Sequence, residues 1–203
     1  MPLIDEGYIK YNIGWKKVNL EADDFLLQLI QYRDKLKHQN LIGVYPDGIG
    51  FGNISQRIYN STEFYISGTQ TGAIEKSDIK DYAKVIDFSF SQNSLHCEGE
   101  VKASSESLTH AAFYIFGYKI NAVIHVHHKD LWKILLGIVP TTPAHITYGT
   151  PEMAFEIQRL ITHYELSEKQ ILVMAGHEEG IFTFGESLQE AYHVLMQYMN
   201  LYI

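Results

Sequence analysis

Asn121-Ala-Val-Ile-His125-Val-His127 is a strongly apolar run that ends in two histidines separated by one residue. Read as a strand, it sends alternate side chains to opposite faces. His125 and His127 therefore share a face, with Cα atoms ~6.5–7 Å apart. Imidazole nitrogens so placed can meet one ion at ~2.0–2.1 Å each. His128 falls out of this alternation and is expected to point elsewhere. Burying unpaired imidazoles costs free energy, so the pair needs a reason. Taken alone, it fits hydrogen-bonded histidines at a strand end as well as it fits a metal site.

A third histidine changes the balance. His177 follows the short apolar run Ile171–Met174, within Ala175-Gly-His-Glu-Glu-Gly180. It also sits where a strand gives way to a turn, the place where active-site groups collect in α/β folds. Three histidines with one position left open make a catalytic rather than a structural metal site. His38, His96, His145 and His163 have no such context and read as surface or packing residues.

Outward from this stretch, helical and strand patterns mix. A helix is predicted from about Asn19, its cap, to Asn40, with Asp23 and Asp24 in the first turn and a stripe of Phe25, Leu26, Leu29, Ile30 and Leu36. The Gly-rich loop 47–52 leads to strands at Asn53–Tyr59 and Glu63–Ser67, joined by a turn at Asn60-Ser61. A second glycine loop spans Ser67 to Gly72, and Val85–Phe90 alternates as a strand. Further helices are predicted at about Ser105–Tyr118, with Leu108, Ala111, Ala112 and Ile115 inward, at Asp130–Leu136, and at Thr150–His163, where Pro151 suits the first turn. Strands follow at Ile171–Met174 and Ile181–Phe184, then a last helix capped by Ser187. Without strict βαβ alternation, this is an α/β protein. The expectation is a single three-layer α/β/α domain over residues 1–203 with a mixed, largely antiparallel central sheet.

Composition supports an ordinary packed core. Of 203 residues, 46% are hydrophobic and 20% charged, with a net charge of -8. The acidic balance argues against a nucleic-acid partner. An anionic small molecule is still admissible, because backbone amides and a metal supply local positive potential. Cys97 is the single cysteine, so no intrachain disulfide forms, in keeping with a reducing, cytoplasmic setting. The opening residues 1–7 lack the basic and apolar regions of a signal peptide, and no run reaches a membrane span of ~20 residues.

Glu106 opens a predicted helix in Ser104-Ser-Glu-Ser-Leu-Thr-His110. A carboxylate in a first turn is stabilised by the helix dipole whatever else it does. Glu106 and His110, four apart, share a helix face. They read either as a surface pair or as a metal-facing ligand or base with a supporting histidine.

Together these motifs resemble the class II aldolase/adducin-domain family. Gly52-Asn53-Ile-Ser55 is similar to its Gly-Asn-x-Ser motif, and Ser67-Gly68-Thr69 with Thr71-Gly72 to its phosphate loop. Ser104-Ser105-Glu106 with His110 matches its Ser-Ser-Glu signature, and His125-x-His127 its metal-binding pair. Tyr148-Gly-Thr150 before a helix is typical. His177, with Gly185 and Leu188-Gln-Glu-Ala191 behind it, resembles the third ligand. The family holds fuculose- and rhamnulose-phosphate aldolases, sugar-phosphate epimerases and dehydratases, and the non-catalytic adducin head domains.

The resemblance implies a zinc-type ion (Zn2+, or Mn2+, Co2+ or Fe2+ in its place) on His125, His127 and His177. It also implies a phosphorylated ketose as substrate and a homo-oligomer, often a C4 tetramer. Glu106 would move the proton. Gly52, Asn53, Ser67, Gly68, Thr69, Ser104 and Ser105 would hold the phosphate, the backbone amides of Gly52, Gly68 and Thr69 among the donors. The expected activity is that of an aldehyde-lyase, a metal-dependent aldolase. Its rivals are a dehydratase or epimerase using the same site, and an adducin-like interaction domain, which would have lost ligands that are all present here. This chain departs from the family at two points. Lys102-Ala103 stands where a proline usually precedes Ser-Ser-Glu, and His177-Glu178 replaces His-Gly in a longer, more acidic loop expected to reshape the sugar end of the pocket. A C-terminal tyrosine donates a proton in some family aldolases; Tyr198 and Tyr202 are the candidates.

Overall fold

The computed structural model describes residues 7–59, 61–163 and 169–203. Residues 1–6 and Asn60 of the predicted turn lie outside them. The strands are β1 (Asn12–Lys17), β2 (Gly43–Val44), β3 (Gly50–Phe51), β4 (Asn53–Arg57), β5 (Phe64–Ser67), β6 (Tyr82–Ser89), β7 (Ser94–Gly99), β8 (Ala122–His127), β9 (Thr141–Thr142), β10 (Ile171–Met174) and β11 (Gly180–Gly185). The helices are α1 (Asp24–His38), α2 (Ser107–Phe116), α3 (Lys129–Leu135), α4 (Pro151–His163) and α5 (Leu188–Tyr202).

The main sheet has nine strands in the order β1-β7-β6-β5-β4-β8-β11-β10-β9. Its pairings are antiparallel except β1 with β7 and β9 with β10. The strand read first, β8, lies in the middle, between β4 and β11. Its alternation splits the molecule into layers. Ala122, Ile124 and Val126 pack with Leu26 and Leu29 of α1, Leu131 of α3 and Leu195 of α5. Val123 packs on the other face with Leu108 and Ala112 of α2 and Ile157 of α4. This is the three-layer α/β/α arrangement with a mixed, mostly antiparallel sheet.

Some boundaries differ from expectation. The first helix begins at Asp24, and its cap is Asp23, whose carboxylate accepts from the Leu26 amide; Asn19 lies outside it. Ile115 of α2 is 41% exposed, whereas Leu108, Ala111 and Ala112 are fully buried. The parallel edge strand β1 and its neighbour β7 are not among the strands expected from the sequence; each has only two apolar side chains, Ile13 and Trp15 in one and Leu95 and Cys97 in the other.

Two glycines set the cleft beside β8. Gly52 has φ +73, and a Cβ there would press on the carbonyls of Leu41 and His125 at 3.0–3.1 Å. At Gly72 a Cβ would come within 2.1 Å of the Gly43 carbonyl. Only glycine lets these loops approach so closely.

Candidate metal centre

Sheet register assembles the site. In β8, His125 lies opposite Phe182 of β11 on one side and Asn53 of β4 on the other. His177 sits in the turn between β10 and β11, and Glu106 occupies the N-cap position of α2 without capping it. The ring nitrogens of His125, His127 and His177 all lie within 4.8 Å of one another, and the three residues are buried. Among the described residues this is the one such group of histidines, cysteines or carboxylates.

Hydrogen bonds orient two of the rings. His125 Nδ1 faces the Ile181 carbonyl at 3.1 Å, an acceptor only, so Nδ1 carries the proton and Nε2 presents its lone pair. The Tyr45 hydroxyl donates to Glu179 at 2.8 Å, which leaves its oxygen to accept from His127 Nδ1 at 2.8 Å. His127 Nε2 is then also a lone pair, 3.1 Å from His125 Nε2. Glu106 Oε2 approaches His125 Nε2 at 2.9 Å, and its other oxygen faces His177 Nδ1 at 3.5 Å. Electron pairs converging in a buried space repel unless positive charge, a proton or a metal ion, lies among them. That donor set suits a divalent metal.

Burial pushes the Glu106 pKa up, but a proton on the His125 or His177 nitrogen that faces it outweighs burial and holds it well below the usual carboxylate range. Asn53 Nδ2 donates to Glu106 Oε2 at 2.8 Å and fixes that oxygen. Burial and its histidine neighbours hold His127 well below the ordinary imidazole range.

His110 is neither a surface residue nor a partner of the Glu106 carboxylate. It is fully buried, and its Nδ1 lies 2.6 Å from Ser55 Oγ, which in turn lies 2.5 Å from the Tyr114 hydroxyl. Burial lowers its pKa from 6.5 to about 3. The unfolded chain therefore takes up this proton near pH 6.5, while the folded chain resists until about pH 3. Stability present above pH 6.5 is lost as pH falls through that window, at up to about 1.4 kcal/mol per pH unit from this one group. Urea midpoints measured from pH 7 to 4 should fall, and His110→Gln should flatten the fall.

A cleft of about 480 Å³ of space, open to solvent, adjoins the histidines. Gly52, Asn53, Gly68, Thr69, Ser104, Ser105, Glu106 and His177 line it, together with Phe51, Gln70 and Tyr148. Ser67 is not among its walls; its Oγ accepts from the Ile54 amide at 3.2 Å. The amides of Gly68 and Thr69, expected to bind phosphate, already donate to the carbonyls of Asp81 and Lys102 at 2.8 and 2.9 Å. Polar binding there falls to the hydroxyls of Thr69, Ser104 and Ser105 and the Gln70 amide. Among the described residues no lysine or arginine lines the cleft. Ser104 and Ser105 lie in the turn before α2 rather than in its first turn.

Tyr45, Glu179 and Phe51 escape a reading of the sequence, because no spacing rule ties residues 45, 127 and 179. Tyr148 carried one signal, its place in Tyr-Gly-Thr before α4. Its ring packs 4.8 Å from that of His177, with Lys10 Nζ 3.8 Å from its centroid. Tyr198 and Tyr202 stack on α5 beside a separate cleft with Lys169, Gln170 and Val194. His128 caps α3, its side chain accepting from the Leu131 amide.

The chain belongs to the Class II Aldolase and Adducin N-terminal domain family, whose model matches residues 47–202. An L-fuculose 1-phosphate aldolase superposes with a TM-score of 0.65 at 21% identity, covering 91% of this chain and 87% of that one. YgbL of Escherichia coli, for which aldolase, epimerase and decarboxylase are all left open, gives 0.62 at 18% identity over 85% and 83%. A sugar-phosphate aldolase from Thermotoga maritima gives 0.54 at 16% identity over 88% and 96%. A search of curated protein sequences finds no significant match.

Proposed function

We propose that the protein is a metal-dependent aldolase, an aldehyde-lyase that cleaves or forms a carbon–carbon bond in a phosphorylated ketose. The observation that carries this reading is the convergence of His125, His127 and His177 on one point with Glu106 against it. A zinc-type ion there would supply Lewis acidity at the substrate's carbonyl oxygen. Glu106 is held as a carboxylate, with one oxygen tied by Asn53 and the other toward His177. It is therefore placed to take or return the proton of a substrate hydroxyl. Thr69, Gln70, Ser104 and Ser105 would bind the phosphate through neutral donors, and Phe51 and Tyr148 line the same cleft.

A dehydratase or epimerase on a sugar phosphate would use the same base and ion and is the second reading; the likeness to YgbL, whose description includes an epimerase, supports the latter. A non-catalytic adducin-like domain fits poorly, because no ligand is missing. The shared sheet between both cores supports one domain over residues 1–203. Among the described residues no helix is long and apolar enough to cross a membrane. Exposed Leu201, Tyr202 and Ile203 on and just beyond α5 suit a homo-oligomer, tetrameric by the family resemblance and cytoplasmic by composition.

Metal analysis of the purified protein should find one divalent ion per chain. A panel of ketose phosphates should then yield dihydroxyacetone phosphate together with an aldehyde such as glycolaldehyde. An epimerised or dehydrated product instead would replace the aldolase reading, and no bound ion would end it.

A further inference from the structure

Glu179, at the end of the loop 175–179, has φ +71. A non-glycine residue in the left-handed region is strained and persists where surrounding structure over-determines it. Here the backbone is pinned by the His128 amide, which donates to the Glu179 carbonyl at 3.1 Å. The side chain is then delivered to Tyr45: Oε2 accepts from the hydroxyl at 2.8 Å, while Oε1 faces Lys129 Nζ at 3.8 Å. Tyr45 is itself set by packing on Phe51, with ring centroids 4.6 Å apart. Its hydroxyl oxygen lies 2.8 Å from His127 Nδ1.

We propose that Glu179 and Tyr45 form a positioning relay that fixes the tautomer and orientation of His127 and so presents its Nε2 to the metal. The chemistry follows from counting protons. A carboxylate only accepts, so the single Tyr45 proton goes to Glu179, and the tyrosine oxygen is left as an acceptor. Nδ1 of His127 must then carry the ring proton, and Nε2 keeps its lone pair. Without the carboxylate, the Tyr45 hydroxyl can turn its proton toward His127, which would move the ring proton to Nε2 and block the ligand atom. His125 needs no such relay, because a backbone carbonyl does the same for its Nδ1. The acidic loop is on this view a support for a metal ligand. The relay rests on the metal reading above.

The test uses the full chain with Tyr45→Phe, Glu179→Ala and the double variant. Metal affinity is measured by chelator competition with Zn2+, and the His127 tautomer is read from imidazole 15N shifts in the metal-free protein. Each single variant should weaken Zn2+ binding by about 10–100-fold, the usual effect of removing a support behind a ligand histidine. The double variant should lose no more than the worse single one, because the two act in series. Glu179→Gln keeps an acceptor and should fall between wild type and Glu179→Ala. The wild-type shifts should report Nδ1-protonated His127, and Glu179→Ala should move the proton to Nε2. Unchanged affinity together with an unchanged tautomer overturns the relay, as does a wild-type ring protonated on Nε2. If wild type binds no ion, the proposed function falls, and the 15N shifts alone decide the relay.

Discussion

Glu106→Gln should leave the protein folded with its ion bound and lower turnover by about 10²–10⁴-fold, the usual contribution of a positioned proton-transfer group. The substitution keeps size and the hydrogen-bonding edge toward Asn53, whose Nδ2 lies 2.8 Å from the Glu106 carboxylate. It removes the negative charge and the ability to take a proton. The carboxylate is 3% exposed, and neighbouring histidines hold it ionised against the cost of burial. The histidines' hold on the charge outweighs the cost of burial, so the metal-free variant should melt lower than wild type. Metal content and turnover must be measured on the same sample. Undiminished turnover would remove Glu106 from the proton transfer, and loss of the ion would make it chiefly a ligand.

His127→Ala should abolish metal binding while the chain remains folded. The loss should exceed the ~10–100-fold that removal of a supporting group costs, because one of three nitrogen donors is gone. In the metal-free protein the truncation also removes one of the electron pairs crowded around Glu106 and His125. A thermal shift makes the test sharp. A ligand at 100 times its dissociation constant stabilises a folded chain by about 2.7 kcal/mol. Wild type should melt higher on adding Zn2+, and His127→Ala should not respond. Full metal stoichiometry in the variant would place the ion elsewhere.

Much of this site is legible along the chain because strand and helix periodicities are local. Alternation along β8 puts His125 and His127 on one face and Ala122, Ile124 and Val126 on the other, and the packing of both cores follows that division. His177 could be added from its place after a short apolar run. The failures are also physical. Asn19 and Asp23 are both good caps, and which one starts the helix depends on where the chain leaves its neighbours. Gly68 and Thr69 look like phosphate donors until their amides are seen bonded to Asp81 and Lys102. Those partners come from strand pairing and loop packing, which glycine content does not encode.

The order of apolar and polar residues, by itself, determined the α/β class and set His125 and His127 on one face of an apolar strand, whereas Glu106 read equally as a surface pair or a metal-facing group. Tertiary structure alone decided which nitrogen of each ring faces the centre, which amides are spent, and which remote groups hold the ligands. Tyr45 stands 82 positions from His127 and 134 from Glu179. Periodicity decays over a few turns of one element, whereas a hydrogen bond between distant segments exists only once the sheet order has placed its partners face to face.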